Sequence, residues 1–180
     1  PEAYYTPALQ TVDPIEFVRG GSALMYGPQP GGALNYVTKK PPLDRPLLIH
    51  TENVFGTDNY FSTYEAVTGT VGPVGYLAYF HEREGDGFRR SNSDYEVLSG
   101  GLKVTLNQTT DSRWTFAYDE YHEEHGEPGG LSLIAATNPT YEQDRNFTTR
   151  PFDRFRLERH YGSVIYEKEF SDTTQFDFRL

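Results

Sequence analysis

Ile15-Glu16-Phe17-Val18-Arg19-Gly20-Gly21-Ser22-Ala23-Leu24-Met25-Tyr26-Gly27-Pro28, continued by Gly31-Gly32-Ala33-Leu34-Asn35-Tyr36-Val37-Thr38-Lys39-Lys40-Pro41, decides how the chain is read. Two short apolar runs, Ile15 to Val18 and Ala33 to Val37, flank a glycine- and proline-rich middle, the pattern of two short strands around a turn. Ser22 to Tyr26 adds one helical turn. Lys39-Lys40-Pro41-Pro42 closes the unit, because neither proline donates to a sheet and each restrains the residue before it.

Composition narrows the class of protein. Hydrophobic residues make up 36% of the 180, and the mean hydropathy of −0.66 is low for a compact core. Aromatics nevertheless reach 15%, with 14 Tyr and 12 Phe, which suits β-structure and membrane-interface girdles. No apolar run approaches the roughly 18 residues of a membrane-crossing helix. A transmembrane barrel stays open, since its strands alternate lipid-facing apolar with lumen-facing polar residues. The formal charge of −10 argues against a nucleic-acid partner. Absence of cysteine is compatible with an oxidising envelope and with a cytosolic chain alike. Pro1-Glu2-Ala3-Tyr4 has neither an initiator Met nor the features of a signal peptide, so the chain is expected to be a piece of something longer.

After residue 47 the pattern becomes strands of about ten residues separated by alternately short and long connections. Strands are expected at Leu47 to Gly56, Tyr60 to Val71, Tyr76 to Glu84, Tyr95 to Leu106, Arg113 to Glu123, Phe155 to Phe170, and from Gln175 to the end. The turns Gly72-Pro73-Val74-Gly75, Asn107 to Ser112 and Ser171-Asp172-Thr173-Thr174 are short; Gly85 to Asp94 and Glu124 to Asp153 are long. Alternation is clearest where Leu98, Leu102, Val104 and Leu106, then Trp114, Phe116 and Tyr118, then Phe176 and Phe178, each share one face. Tyr60 to Val71 is mixed. Taken alone, this alternation favours a soluble antiparallel sheet with one wet face.

The motif reverses that preference. An apolar-Glu-apolar-apolar-Arg-Gly stretch, a small-residue segment ending in Tyr-Gly, and a Gly-Gly-apolar-apolar-Asn-apolar-apolar-Thr stretch occur in order from Ile15 to Thr38. Together they resemble the end of the plug domain of a TonB-dependent outer-membrane receptor. The resemblance implies a mostly all-β fold. Residues 1–42 would be the C-terminal part of the plug, and residues 43–180 the N-terminal part of the barrel, about seven of roughly 22 antiparallel strands. Tyr26-Gly27-Pro28-Gln29, Pro128-Gly129-Gly130-Leu131 and Thr149-Arg150-Pro151-Phe152-Asp153-Arg154-Phe155 resemble the ferric-citrate receptor type. Pro30 stands where that type suggests a polar residue.

The implied function is TonB-dependent uptake of a ferric chelate, ferric citrate or a related siderophore, across the bacterial outer membrane. Iron enters as chelated substrate and no cofactor is implied. The implied partners are the ferric ligand, outer-membrane lipid, and TonB through a segment absent from these residues; the complete barrel is expected to be a monomer. Gln29 lies at the plug turn that points toward ligand in such receptors, where a neutral amide donates to a citrate oxygen without a countercharge. Arginines meet carboxylates bidentately, which makes Arg150 and Arg154, with Arg89 and Arg90, the loop candidates for the ligand. Glu16 and Arg19, three apart on a strand, face opposite ways and require separate partners. By resemblance they latch the plug to the inner barrel wall.

Other readings compete. A receptor for a catecholate siderophore, cobalamin or an oligosaccharide would share the motif. A soluble β-rich binding or adhesion module predicts instead that Leu98, Leu102, Val104, Trp114 and Phe116 pack against a second sheet. No constellation suggests an enzyme. His122-Glu123-Glu124-His125 lacks the His-Glu-x-x-His spacing, and on a strand its histidines face opposite ways, so no metal site is expected there.

Overall fold

The computed structural model describes residues 5–26, 31–109, 111–133, 138–171 and 174–180, with two compact units meeting between Lys40 and Pro41. In the first, a 3-10 turn at Leu9–Thr11 leads into β1, Val12–Val18, which pairs antiparallel with β2, Ala33–Thr38. β1 starts earlier than the apolar run suggests. Its register slips between Val12 and Ile15, where Pro14 has no N–H for the ladder. Gly20–Tyr26 forms a seven-residue 3-10 helix, longer than one turn. At Gly32 φ is +114°, and a Cβ there would stand 2.7 Å from the Val18 carbonyl oxygen, so this position takes only glycine.

The second unit is a seven-stranded antiparallel meander in sequence order: β3 Leu48–Phe55, β4 Phe61–Val71, β5 Val74–Gly85, β6 Tyr95–Thr109, β7 Ser112–Gly126, β8 Arg154–Ser171 and β9 Thr174–Arg179. Several strands outrun the expected ten residues; β6 and β7 have 15 each and β8 has 18. Val74 and Gly75, expected in a turn, belong to β5. Val71 pairs with Val74, leaving a two-residue hairpin. Gly72 there has φ +57°. Proline cannot follow it at positive φ, so the turn is type II′, whose twist suits the flanking strands. Connections at this end are two residues long, whereas 86–94 and 127–153 extend from the other.

Register assigns every strand residue to a face. One row runs Val67, Ala78, Leu102, Tyr118, Gly162; another runs Val71, Val74, Leu106, Trp114, Tyr166, Phe178. This face is apolar yet uncovered: Leu98 is 38% exposed, Leu102 52% and Phe116 44%. Among the described residues no second sheet covers these side chains, contrary to what the soluble-sandwich reading predicts. The opposite face carries Tyr64, His81, Ser99 and Tyr121 in one row and Ser62, Arg83, Val97 and Glu123 in the next. Tyr64, Val97 and Tyr121 are buried there, with buried Ser62, His81, Ser99 and Glu123. Polar residues covered and apolar ones open is the reverse of a water-soluble domain, and it is the arrangement a lipid-embedded wall requires.

The apolar band has defined edges. Toward the short turns, Trp114 and Tyr166 lie with ring centroids 4.6 Å apart and planes tilted by 35°, where an aromatic girdle stands in such barrels. Toward the long loops, the same face turns to Glu65, Glu82, Glu84, Glu120 and Glu158. From Leu102 to Leu106 the strand covers about 14 Å along its axis, while Leu98 shares its row with Glu82 and Glu158 at the rim.

Candidate functional site

The long-loop end of the meander is built by three connections that hold one another. In the β3–β4 turn, Asp58 and Asn59 both take positive φ, tolerated by short polar side chains. The Asp86 backbone N–H donates to Asp58 O at 2.8 Å, and Asn59 Nδ2 to Asp86 Oδ2 at 2.5 Å. The 86–94 connection is in turn clasped to the 127–153 loop. Arg89 Nη1 donates to Phe147 O at 2.7 Å, Thr148 Oγ1 to Ser91 O at 2.7 Å, and Arg90 N to Asn146 O at 2.8 Å. Asn92 Nδ2 reaches both Arg150 O and Asp153 O at 2.7 Å. These bonds span more than fifty residues of sequence and convert two long loops into one shelf.

The arginine candidates separate on this geometry. Arg89 and Arg90 are structural: one holds the Phe147 carbonyl, and the other pairs with Asp144 at 2.7 Å. Arg154 is enclosed by carboxylates, with Asp94 Oδ2 at 2.8 Å from Nη1 and Glu124 Oε1 at 3.0 Å from Nη2. Arg156 takes the other oxygen of Glu124 at 2.8 Å. Arg150 keeps an exposed guanidinium, with the Asp153 carboxylate 3.5 Å away. Arg154 lines a recess of about 340 Å³ with Glu84, Asp86, Asp94, Glu96 and Glu124. Five carboxylates against one guanidinium make this recess unsuited to an anion.

Glu16 and Arg19 have different neighbours, although the strand spacing that separates them in the sequence reading does not apply to Arg19. Glu16 Oε2 accepts from Asn35 Nδ2 at 2.8 Å across the β1–β2 pair. Arg19 lies beyond the end of β1 rather than on it, with its guanidinium 4.7 Å from the Phe17 ring centroid. Gln29 falls outside the described residues. His122 faces Glu158 at 3.7 Å while His125 Nδ1 meets Glu123 Oε1 at 3.0 Å, on opposite faces of β7.

Sequence reasoning missed the clasp and the covered face of the sheet. Asn92 carried no signal beyond its turn propensity. Arg83 lay in a stretch, Tyr76 to Glu84, where both alternating sets contain aromatic and polar residues.

No protein-family model matches the chain. Three solved structures resemble it closely in fold. Against the ferric citrate transporter FecA in its unliganded form, the identity is 27% with a TM-score of 0.72, over 92% of this chain and 25% of that one. The ferripyoverdine receptor of the outer membrane of Pseudomonas aeruginosa, bound to ferripyoverdine, gives 17% and 0.77 over 90% and 22%. The ferric-catecholate import receptor Fiu from E. coli K12, in its open form, gives 15% and 0.75 over 95% and 28%. The chain thus spans about a quarter of the length of the solved receptors it matches.

Proposed function

We propose that this chain, a segment of a TonB-dependent outer-membrane receptor of Gram-negative bacteria, serves the active uptake of a ferric chelate, with ferric citrate as the first candidate. The observation that carries the reading is the pairing of a plug-like β1–β2 unit with a meander whose apolar face is bare and whose polar face is covered. Citrate is favoured by the 27% identity with the citrate transporter, against 17% and 15% with the pyoverdine and catecholate receptors. A second reading, a ferric chelate other than citrate, is supported by the TM-score of 0.77 with the pyoverdine receptor. In either case the chemistry is selective binding and passage, and iron is cargo.

The residue roles belong to the same proposal. Arg150, exposed on the shelf, and Gln29 of the plug turn are the ligand-contacting candidates. Arg154 reaches an anionic chelate only by exchanging its carboxylates, so it acts by holding the shelf in place. Glu16 and Arg19 latch the plug against the inner wall until TonB, driven by the inner-membrane proton gradient, releases it. Outer-membrane lipid covers the apolar band of the complete, monomeric barrel. Titration calorimetry of the complete receptor in detergent tests the reading, with ferric citrate against a ferric catecholate chelate. Binding of the citrate chelate alone is expected; binding of the catecholate alone moves the receptor to the second reading, and binding of neither removes citrate and the catecholate as its ligands.

A further inference from the structure

We infer that Lys168, at the short-turn end of β8, forms with Trp114 and Tyr166 an outward-facing binding site for the phosphate of an anionic phospholipid in the periplasmic leaflet. The site depends on the receptor fold alone, whichever chelate is carried. Register and the strand period put Tyr166, Lys168 and Phe170 on the same face as Trp114 and Phe178, with Phe176 directly opposite Lys168. The short turns of such barrels are periplasmic. One pleat repeat, about 7 Å, separates Lys168 from the Trp114–Tyr166 row on the side of the turns. That is the depth at which lipid headgroups meet a hydrocarbon edge marked by aromatic side chains.

A lysine set among aromatic rings needs an outlet for its charge. Lys168 Nζ lies 5.9 Å from the ring centroid of Phe170, two residues nearer the turn, so the side chain leans out of the apolar band toward the headgroups. It has no ion pair among the described residues. Glu167 and Glu169, its chain neighbours, fall on the opposite face, where Glu167 holds Arg113 at 2.7 Å. The Trp114 indole N–H and the Tyr166 hydroxyl also have no hydrogen-bond partner among the described residues, although their rings lie against each other. Three donors, one of them charged, thus share one end of the outward face. From the Trp114 row to the turns, no described strand residue on that face carries a carboxylate, whereas the long-loop end carries Glu65, Glu82, Glu84, Glu120 and Glu158. A phosphodiester offers oxygens to such donors, and the lysine ammonium is a common phosphate partner. The missing carboxylate selects among lipids. Phosphatidylethanolamine would bring a second cation beside Lys168 with no acid to receive it, while phosphatidylglycerol brings a net negative charge and a neutral head.

The test places the complete receptor in phosphatidylethanolamine vesicles that contain a minority of brominated phosphatidylglycerol, or the same fraction of brominated phosphatidylethanolamine. Quenching of Trp114 is read as the difference in emission between each receptor and its Trp114→Phe counterpart. Wild type is expected to show excess quenching by the glycerol lipid. The apparent affinity should be about fivefold weaker in Lys168→Gln and restored in Lys168→Arg. Raised salt should erode the excess. Lys168 lies outside the core, so thermal unfolding of both variants should match wild type. Equal quenching by the two lipids in wild type overturns the anion preference and with it the site. The same excess in Lys168→Gln overturns Lys168 as its cation, and no quenching by either lipid overturns the placement of Trp114 against lipid. Each of these failures leaves ferric-chelate uptake standing, which the titration with ferric citrate decides separately.

Discussion

Arg154 Nη1 lies 2.8 Å from Asp94 Oδ2, sixty residues away in sequence, and ties the start of β8 to the end of the 86–94 connection. With the Arg154–Glu124 contact, it fixes where the 127–153 loop returns to the sheet.

Removing that guanidinium should loosen the loop and spare the sheet. Asp94 is half exposed, and partly solvated ion pairs contribute no more than about 1 kcal/mol. Arg154→Gln is expected to leave the unfolding temperature of the complete receptor within a few degrees of wild type. Limited proteolysis should cut faster between 127 and 153. Unchanged cleavage would show that the pair does not hold the loop.

Asn92 should matter more than its exposure suggests. Its amide makes two bonds to the backbone of the long loop, and its φ of +56° suits Asn better than Ala. Asn92→Ala is expected to cost about 1–3 kcal/mol of local stability, read as lost hydrogen-exchange protection at the Arg90 amide. Asn92→Gly, which relieves the left-handed strain but not the lost bonds, should recover only part of it. Full recovery by glycine would mean that backbone strain, and not the amide, is the cause.

Depth in the membrane should set the cost of charge on the apolar face. Leu102 lies within the apolar band and Glu120, paired with Gly100 one row nearer the long loops, at its acidic rim. Leu102→Arg is expected to destabilise the barrel by about 2–4 kcal/mol and Glu120→Arg by about 0–1 kcal/mol. Reversible urea unfolding of the complete receptor in lipid vesicles measures both. Equal costs would contradict the assigned band.

These 180 residues expressed alone should aggregate in detergent-free buffer. β3 and β9 each have one neighbour in the sheet, and the outward face leaves Leu102, Phe116 and Phe178 exposed. Size-exclusion chromatography is expected to show material in the void volume that disperses in detergent. A monomer in plain buffer would overturn the lipid-facing assignment.

Much of this fold is legible in the sequence. Side-chain period is fixed by backbone geometry, so Leu98 to Leu106 and Trp114 to Tyr118 showed their faces directly. The motif that includes Glu16, Arg19, Asn35 and Thr38 resembles the end of a receptor plug, and turn chemistry at Gly72-Pro73 marked a hairpin. Tyr60 to Val71 stayed ambiguous because both of its alternating sets mix polar and apolar residues; only pairing with His50, His81 and Arg83 on its flanks assigned Tyr64 inward.

What the sequence by itself determined is local: period, turns, and the motif of residues 15–38. Tertiary structure alone decided which charges are spoken for. Arg150 and Arg154 are four residues apart, yet one is exposed and the other enclosed by Asp94 and Glu124. The partner of a charge is chosen by strand register and loop return across tens of residues, and no local pattern encodes that distance.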